Sequence, residues 1–326
     1  MMAILGWLQL GGIIAVVGAS GGAVASAGLS KWFASELEDI EPAARLKLLS
    51  GLLLLPAVTA TAALGVVFAP SILDALGLVR DHCHSHPGHH AFHACFVHSQ
   101  PPAPSGFLSA GLLAGFGYLA WSWSQTLGEL LRVRGRLRAI RDCGSVDQSD
   151  GVFHIDAPTP LAMTVGLLSP TVYVTGGLRS ILSESQYRAV VSHERAHAER
   201  FHSLIQLVGR CCRPLHLGYT GHFLVTEVEL ACEQICDRAA ADSVGDELSV
   251  AEAILTMERQ AGAMPDTALG FGGSAIERRV RAMLEADWRM PNWGMIVGIA
   301  VLSVAGIAGH YDWLHHAIET WLGIIV

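Results

Sequence analysis

Hydrophobic and polar positions fall in blocks along this chain. Four stretches carry no Asp, Glu, Lys or Arg: Met1 to Ser30, Leu48 to Leu73, Gly106 to Gln125 and Trp293 to Gly309. A helix that crosses a bilayer needs about 20 mostly apolar residues, and one charge at its centre costs about 2.5–3.5 kcal/mol. The blocks therefore predict about four transmembrane helices: three within 1–125, near 3–29, 48–73 and 106–125, and a fourth, the shortest, within 291–326. The first block has no basic run ahead of it and is too long for the apolar core of a cleaved leader. Gly18 and Gly22, and again Gly111 and Gly115, have the spacing that lets helices approach closely in lipid.

The stretch 126–290 has a different pattern. "AMTVGLLSPTVYVTGG" reads as two short strands around a turn, broken at Gly166, Ser169 and Pro170, with β-branched residues over Thr171 to Thr175. Ser183 and Gln186 then form a capping box, which predicts a helix from about Glu184 carrying Val190, Val191, His193 and His197. Strands followed by helices give an α+β domain.

Composition agrees with this division. Apolar residues make up 51% and charged residues 15%, with a mean hydropathy of +0.41. A soluble domain averages about 25% charged, so much of the chain avoids water. The net charge of −8 offers no basic face for nucleic acid. Basic residues do cluster in "RVRGRLRAIR", with Arg132, Arg134, Arg136, Arg138 and Arg141 directly after the third block. The positive-inside rule makes that end cytosolic. Alternation then puts 126–290 in the cytosol. The segment 74–105 and the short tail after the fourth helix lie outside, in a multi-pass protein of the cell (plasma) membrane.

The candidate chemistry lies in "VVSHERAHAERFH". His193 and His197 are four apart, hence on one face of a helix, and neutral imidazoles at that spacing can share one zinc ion. Glu194 is turned about 100° round the helix, where it cannot be a ligand from the same face but can reach an activated water. A catalytic zinc needs a third protein ligand and an open position. In "VELACEQICDRAA", Glu233 is the candidate ligand, and Asp237, one turn on, can hold a ligand histidine. Glu227, Glu229, Cys232 and Cys236 compete for the ligand role.

With these motifs the chain resembles the membrane-bound zinc peptidases of the beta-lactam sensor-transducer (antirepressor) family, of gluzincin type. "HERAH" and "EQICD" match its two motifs, and "AIERRVRAML" resembles its late basic helix. There is likeness, too, to CAAX-type and heat-shock membrane zinc proteases, in which a histidine follows the second ligand by five residues, as His202 follows His197. The resemblance implies a cytosolic gluzincin-like zinc peptidase domain with one catalytic zinc on His193, His197 and Glu233, and Glu194 and Asp237 as catalytic groups. Its implied substrate is a cytosolic protein, a transcriptional repressor in the family's signal-relay logic. Little chain follows the last apolar block, so the sensor domain of that family is not expected here.

Three points stay open at this level. The oxyanion donor is one of Tyr173, Tyr187, His202, Tyr219, His222 and Arg238. Substrate is expected to add as an extra strand beside Thr171 to Val174. The outer segment "DHCHSHPGHHAFHACFVH" holds His82, His84, His86, His89, His90, His93 and His98 with Cys83 and Cys95, which reads as a second metal site or as a loop closed by a Cys83–Cys95 disulfide. Cys143, Cys211, Cys212, Cys232 and Cys236 are expected as reduced thiols. Two other functions compete with signal relay: a quality-control protease for membrane proteins, and a non-enzymatic metal-binding or metal-sensing membrane protein. The partners expected are a protein substrate and lipid, without direct nucleic-acid contact.

Overall fold

The computed structural model describes residues 2–78, 103–143, 146–149, 151–261, 275–284 and 288–291, with scattered positions beyond. The histidine-rich segment, with its second metal or disulfide, and the fourth apolar block lie outside the described residues.

The chain begins with two long helices, α1 (Met2–Phe33) and α2 (Pro42–Ala75), packed antiparallel. Both are long and apolar enough to cross a membrane, and most of each apolar window is not buried by protein. Ile4, Leu8, Val24 and Val58 stand exposed along them. These two helices suggest membrane association. The hairpin closes on small residues: a Cβ at Gly18 would sit 2.7 Å from the Thr59 carbonyl oxygen, and the Thr59 hydroxyl donates to the Gly18 carbonyl at 2.7 Å. Gly22 meets Leu55 and Pro56 just as closely. Gly111 and Gly115, by contrast, face open space.

α2 has 34 residues. At about 1.5 Å per residue it runs roughly 51 Å, whereas a hydrocarbon core is about 30 Å thick. Its first turns belong to the other half of the molecule. Leu49, Leu52 and Leu53, inside the block predicted to span, are buried against Leu224, Val225 and Val228. The buried guanidinium of Arg45 donates to the Leu37 carbonyl at 3.1 Å and to the Gln234 side-chain oxygen. The helix α3 (Gly106–Cys143) has the length of the first two but not their apolarity, so two spanning candidates, not four, are found among the described residues.

A four-stranded sheet follows, from β1 (Val146–Ser149), β2 (Val152–Ile155), β3 (Ala162–Val165) and β4 (Thr171–Thr175). Its order is β1-β2-β4-β3, antiparallel except for the β2/β4 pair. Gly151, directly before β2, has a φ of 74°. That left-handed backbone suits the tight turn of a hairpin. The strand order corrects one expectation. Thr171 to Val174 belong to β4, bonded on both sides, and cannot accept an added strand; the edges are β1 and β3, and β3 is the one that adjoins α5.

Among the described residues, six α-helices follow the sheet: α4 (Gly176–Ile181), α5 (Glu184–Glu199), α6 (His202–Cys212), α7 (Thr220–Val244), α8 (Glu247–Ala261) and α9 (Ala275–Leu284). α5 starts where its capping box puts it: the Ser183 hydroxyl accepts from Gln186 N–H, and the Gln186 side chain accepts from Ser183 N–H. One face of the sheet, with Val152, Val172 and Val174, packs on Leu178 and Tyr187. α5 crosses α7 closely, and α8 and α9 close the far side through Val250, Ala251 and Met283.

Candidate metal centre

α5 turns His193 and His197 toward α7. Their Nε2 atoms are 3.1 Å apart. Glu233, on the facing turn of α7, puts Oε2 3.4 Å from Nε2 of His193 and Oε1 3.4 Å from Nε2 of His197. For tetrahedral zinc bonded at about 2.0–2.1 Å, neighbouring ligand atoms are about 3.3 Å apart. The N–N separation is close to that edge, and a different Glu233 oxygen lies about one edge from each histidine, so the three side chains converge as ligands of one zinc ion would.

Cys236 competes. Its sulfur forms a looser group with the same histidines, with separations up to 4.8 Å. Two observations favour Glu233. The Cys236 thiol lies 3.3 Å from Nδ1 of His202, on the far side of His197 from the converging Nε2 atoms. Burial, with Glu233 and Asp237 nearby, also pushes the thiol well above its ordinary range in the metal-free protein. The Glu233 carboxyl goes the other way. Burial disfavours its charge, but hydrogen bonds from His193 and His197 and the charge of Arg279 outweigh this and hold it far below the usual carboxylate range.

Each histidine is held from behind. Asp237, fully buried, places Oδ1 3.0 Å from Nδ1 of His193. That bond keeps a proton on Nδ1 and leaves the Nε2 lone pair toward Glu233. Burial opposes charge on His193, yet the bonds to Asp237 and Glu233 raise its pKa to about 9. His197 has its Nδ1 3.2 Å from Nδ1 of His202. Burial, then the neighbouring His197 and Arg200, lowers the pKa of His202 to about 4. His202 therefore stays neutral and can accept the His197 proton. Phe201 makes this contact feasible. At φ 53° it is left-handed, and it turns the chain so that α6 begins beneath His197.

The sequence pattern does not single out Arg279 of α9. This side chain donates to both oxygens of Asp237, at 2.8 and 2.7 Å, and lies 3.2 Å from Glu233. No local pattern links a residue to a partner 42 positions away; the basic run of α9 was the only signal.

Glu194 is held against β3 and lines the same cavity as His193 and Glu233. The Thr164 hydroxyl lies 2.8 Å from its Oε2 and 2.7 Å from its backbone oxygen. The other ligand candidates are occupied elsewhere. Glu227 is clasped by Arg278, Glu229 by Arg210, and Cys232 is in the core with α2, its thiol pushed up to about 12 by burial. Of the oxyanion candidates, Arg238 pairs with Asp242 and Glu247, and Tyr187 meets His154 and the Arg179 guanidinium. Tyr219 and His222 come at the start of α7, well before Glu233. The separation is three turns or more, about 16 Å or further along a helix. Tyr173 stacks on Phe153, and His202 is behind His197. None of the six is placed over the converging Nε2 atoms. Among the described residues Cys211, Cys212, Cys232 and Cys236 are free thiols.

Residues 138–264, which contain all five site residues, match the model of peptidase family M48. That match supports a metalloprotease, and peptidases of that family are typically zinc-dependent. No curated protein and no solved structure matches the chain.

Proposed function

We propose that this protein is an integral-membrane zinc endopeptidase. His193, His197 and Glu233 hold the metal, Glu194 acts as general base and acid, and Asp237 positions His193. The observation that carries the reading is the tripod of two Nε2 atoms and the Glu233 carboxylate at tetrahedral-edge distances. A zinc ion held there supplies Lewis acidity to water and to a peptide carbonyl. Glu194 takes the proton of the attacking water and returns it to the leaving amine. The Thr164 hydroxyl holds the Glu194 carboxylate beside the sheet edge. The open edge of β3 receives the substrate as an added strand, in place of the Thr171 to Val174 segment.

α1, α2, the upper half of α3 and the fourth apolar block are read as the membrane part. The arginines in the lower half of α3 keep the peptidase cytosolic. Its likeness to the sensor-transducer peptidases makes signal relay, by cleavage of a cytosolic repressor, the preferred role. Substrate trapping tests this. Zinc-loaded Glu194→Gln keeps its size and its hydrogen bond to Thr164 but cannot take a proton. It should retain full zinc and lose cleavage. It should also capture one cytosolic protein rather than many unfolded membrane proteins. Cleavage near the unaltered rate would refute the role of Glu194, and broad capture would favour quality control.

A further inference from the structure

The edge strand β3 lies between two cavities of opposite character. At its Ala162 end is a cavity of about 280 Å3 that opens beside His193 and Glu194. Val190, Val250, Ala253, Ile254 and Met257 give it apolar walls, and Glu258 and Glu233 stand at its rim. It has room for one side chain rather than a whole small-molecule ligand. At the Thr164–Val165 end a groove of about 700 Å3 runs between the β3–β4 loop, α6 and the lower half of α3. Arg134, Arg138 and Arg210 line it, with Glu129. Arg210 is held by Glu229 at 2.7 Å and lies 3.9 Å from Glu129. Arg134 and Arg138 are exposed and make no ion pair among the described residues. The groove therefore carries surplus positive charge, whereas around the cavity Glu194, Glu233, Asp237 and Glu258 outnumber Arg279.

Ala162 and Val165 are three steps apart on a strand, about 10 Å at the rise of an extended chain. A peptide paired along β3 thus has one end at each cavity. Glu194, which lines the apolar cavity, reaches β3 at Thr164, where the basic groove begins. The bond exposed to Glu194 then has the apolar cavity on one side and the basic groove on the other.

We infer that the enzyme selects extended segments by two features on opposite sides of the cleaved bond: an aliphatic side chain next to it, seated against Ile254 and Met257, and acidic side chains a few residues away, met by Arg134 and Arg138. Both charge patterns act in the same sense, because Glu258 repels an acid from the apolar cavity while the arginines attract it to the groove. This rests on the peptidase reading and adds the class of substrate to it.

The test uses the full chain, zinc-loaded, in a zwitterionic detergent. Matched peptides share an aliphatic residue at the cleaved bond and differ in having Glu or Gln on the groove side. Unaltered protein should prefer the Glu peptide about tenfold in kcat/KM, since two partly exposed charge pairs together supply about that factor. R134Q/R138Q should bring the ratio to about one, and R134E/R138E should turn the preference toward Lys. Met257→Trp, which fills the cavity, should lower cleavage of Leu peptides at least about tenfold relative to Gly or Ala peptides, with zinc content unchanged. The same peptides are ranked by fluorescence anisotropy on zinc-loaded Glu194→Gln, which reads selectivity without hydrolysis. A ratio near one in the unaltered protein overturns the inference. So does an equal fall on both peptides in the arginine variants, with loss of binding to anionic vesicles, which would assign the arginines to lipid headgroups. Selective binding without cleavage by unaltered protein would leave the specificity standing and bring down the peptidase reading.

Discussion

Arg279→Met removes a guanidinium that makes two hydrogen bonds to Asp237 and an ion pair with Glu233. Asp237 has no exposure of its own, so its charge has no water to fall back on. Removing one partner of a buried pair costs about 3–5 kcal/mol. Arg279 itself is 19% exposed and adjoins the apolar cavity, so some water can enter. The lower end, about 3 kcal/mol, therefore applies. For a unit of this size each kcal/mol moves Tm by about 2–4 °C, giving a fall of roughly 6–12 °C in the metal-free protein. Zinc separates the two contacts of the arginine. It brings positive charge to Glu233 but not to Asp237, which still faces only His193. Saturating zinc should therefore raise Tm more in the variant than in the unaltered protein, yet leave a deficit. Arg279→Lys, which keeps the charge but not the two-pronged geometry, should fall between. Thermal unfolding in detergent with and without zinc measures all three. A fall below about 2 °C in metal-free Arg279→Met, or its complete repair by zinc, would refute the assignment.

Other outcomes are as definite. Zinc must displace the proton that the raised pKa of His193, about 9, keeps on the ring at neutrality. Binding at pH 7 should therefore release a proton. Apparent affinity should rise about tenfold per pH unit from neutrality and flatten above about 9, which calorimetry in buffers of contrasting ionisation heat would detect; no proton release would contradict it. Glu233→Ala should lose zinc, whereas Cys236→Ala should keep one ion per chain by metal analysis, and the reverse result would move the ligand to sulfur. Gly22→Leu places new atoms against Leu55 and Pro56. It should cost about 1–3 kcal/mol, read as a lower Tm in detergent. Gly111→Leu, whose Cβ would meet nothing within 4 Å, should be nearly neutral there.

The features legible in the sequence are those that a single helix encodes. The spacing of Ser183 and Gln186, of His193 and His197, and of Glu233 and Asp237 sets a cap or a shared face whatever lies around it. Strand order depends on distant partners, and the reading of Thr171 to Val174 as an edge failed there, because β2 arrives from the other side of β4. The Asp150-Gly151 dipeptide was an available hairpin signal for β1 and β2. Arg279 and the burial of Leu49, Leu52 and Leu53 were hidden for the same reason. An apolar block looks alike whether lipid or protein covers it, and only the packing of α7 on α2 distinguishes them.

That packing has a consequence for how the protein comes into being. Leu49, Leu52 and Leu53 of α2 are all in the shared core. Each contributes about 1.5–3 kcal/mol by burial, together about 5–9 kcal/mol. A typical domain is held together by about 5–15 kcal/mol, so this is a large part of the whole. A fragment starting at residue 126 should therefore be unstable, with Leu224, Val225 and Val228 left uncovered. During synthesis α2 emerges long before α7, so the metal-bearing half has no complete interior until the hairpin is already in place. A chain whose N-terminal helices have gone astray is thereby denied a working hydrolase. The N-terminal hairpin thereby supplies part of the interior that the peptidase half needs, and a chain in which it is misplaced should lack a stable site.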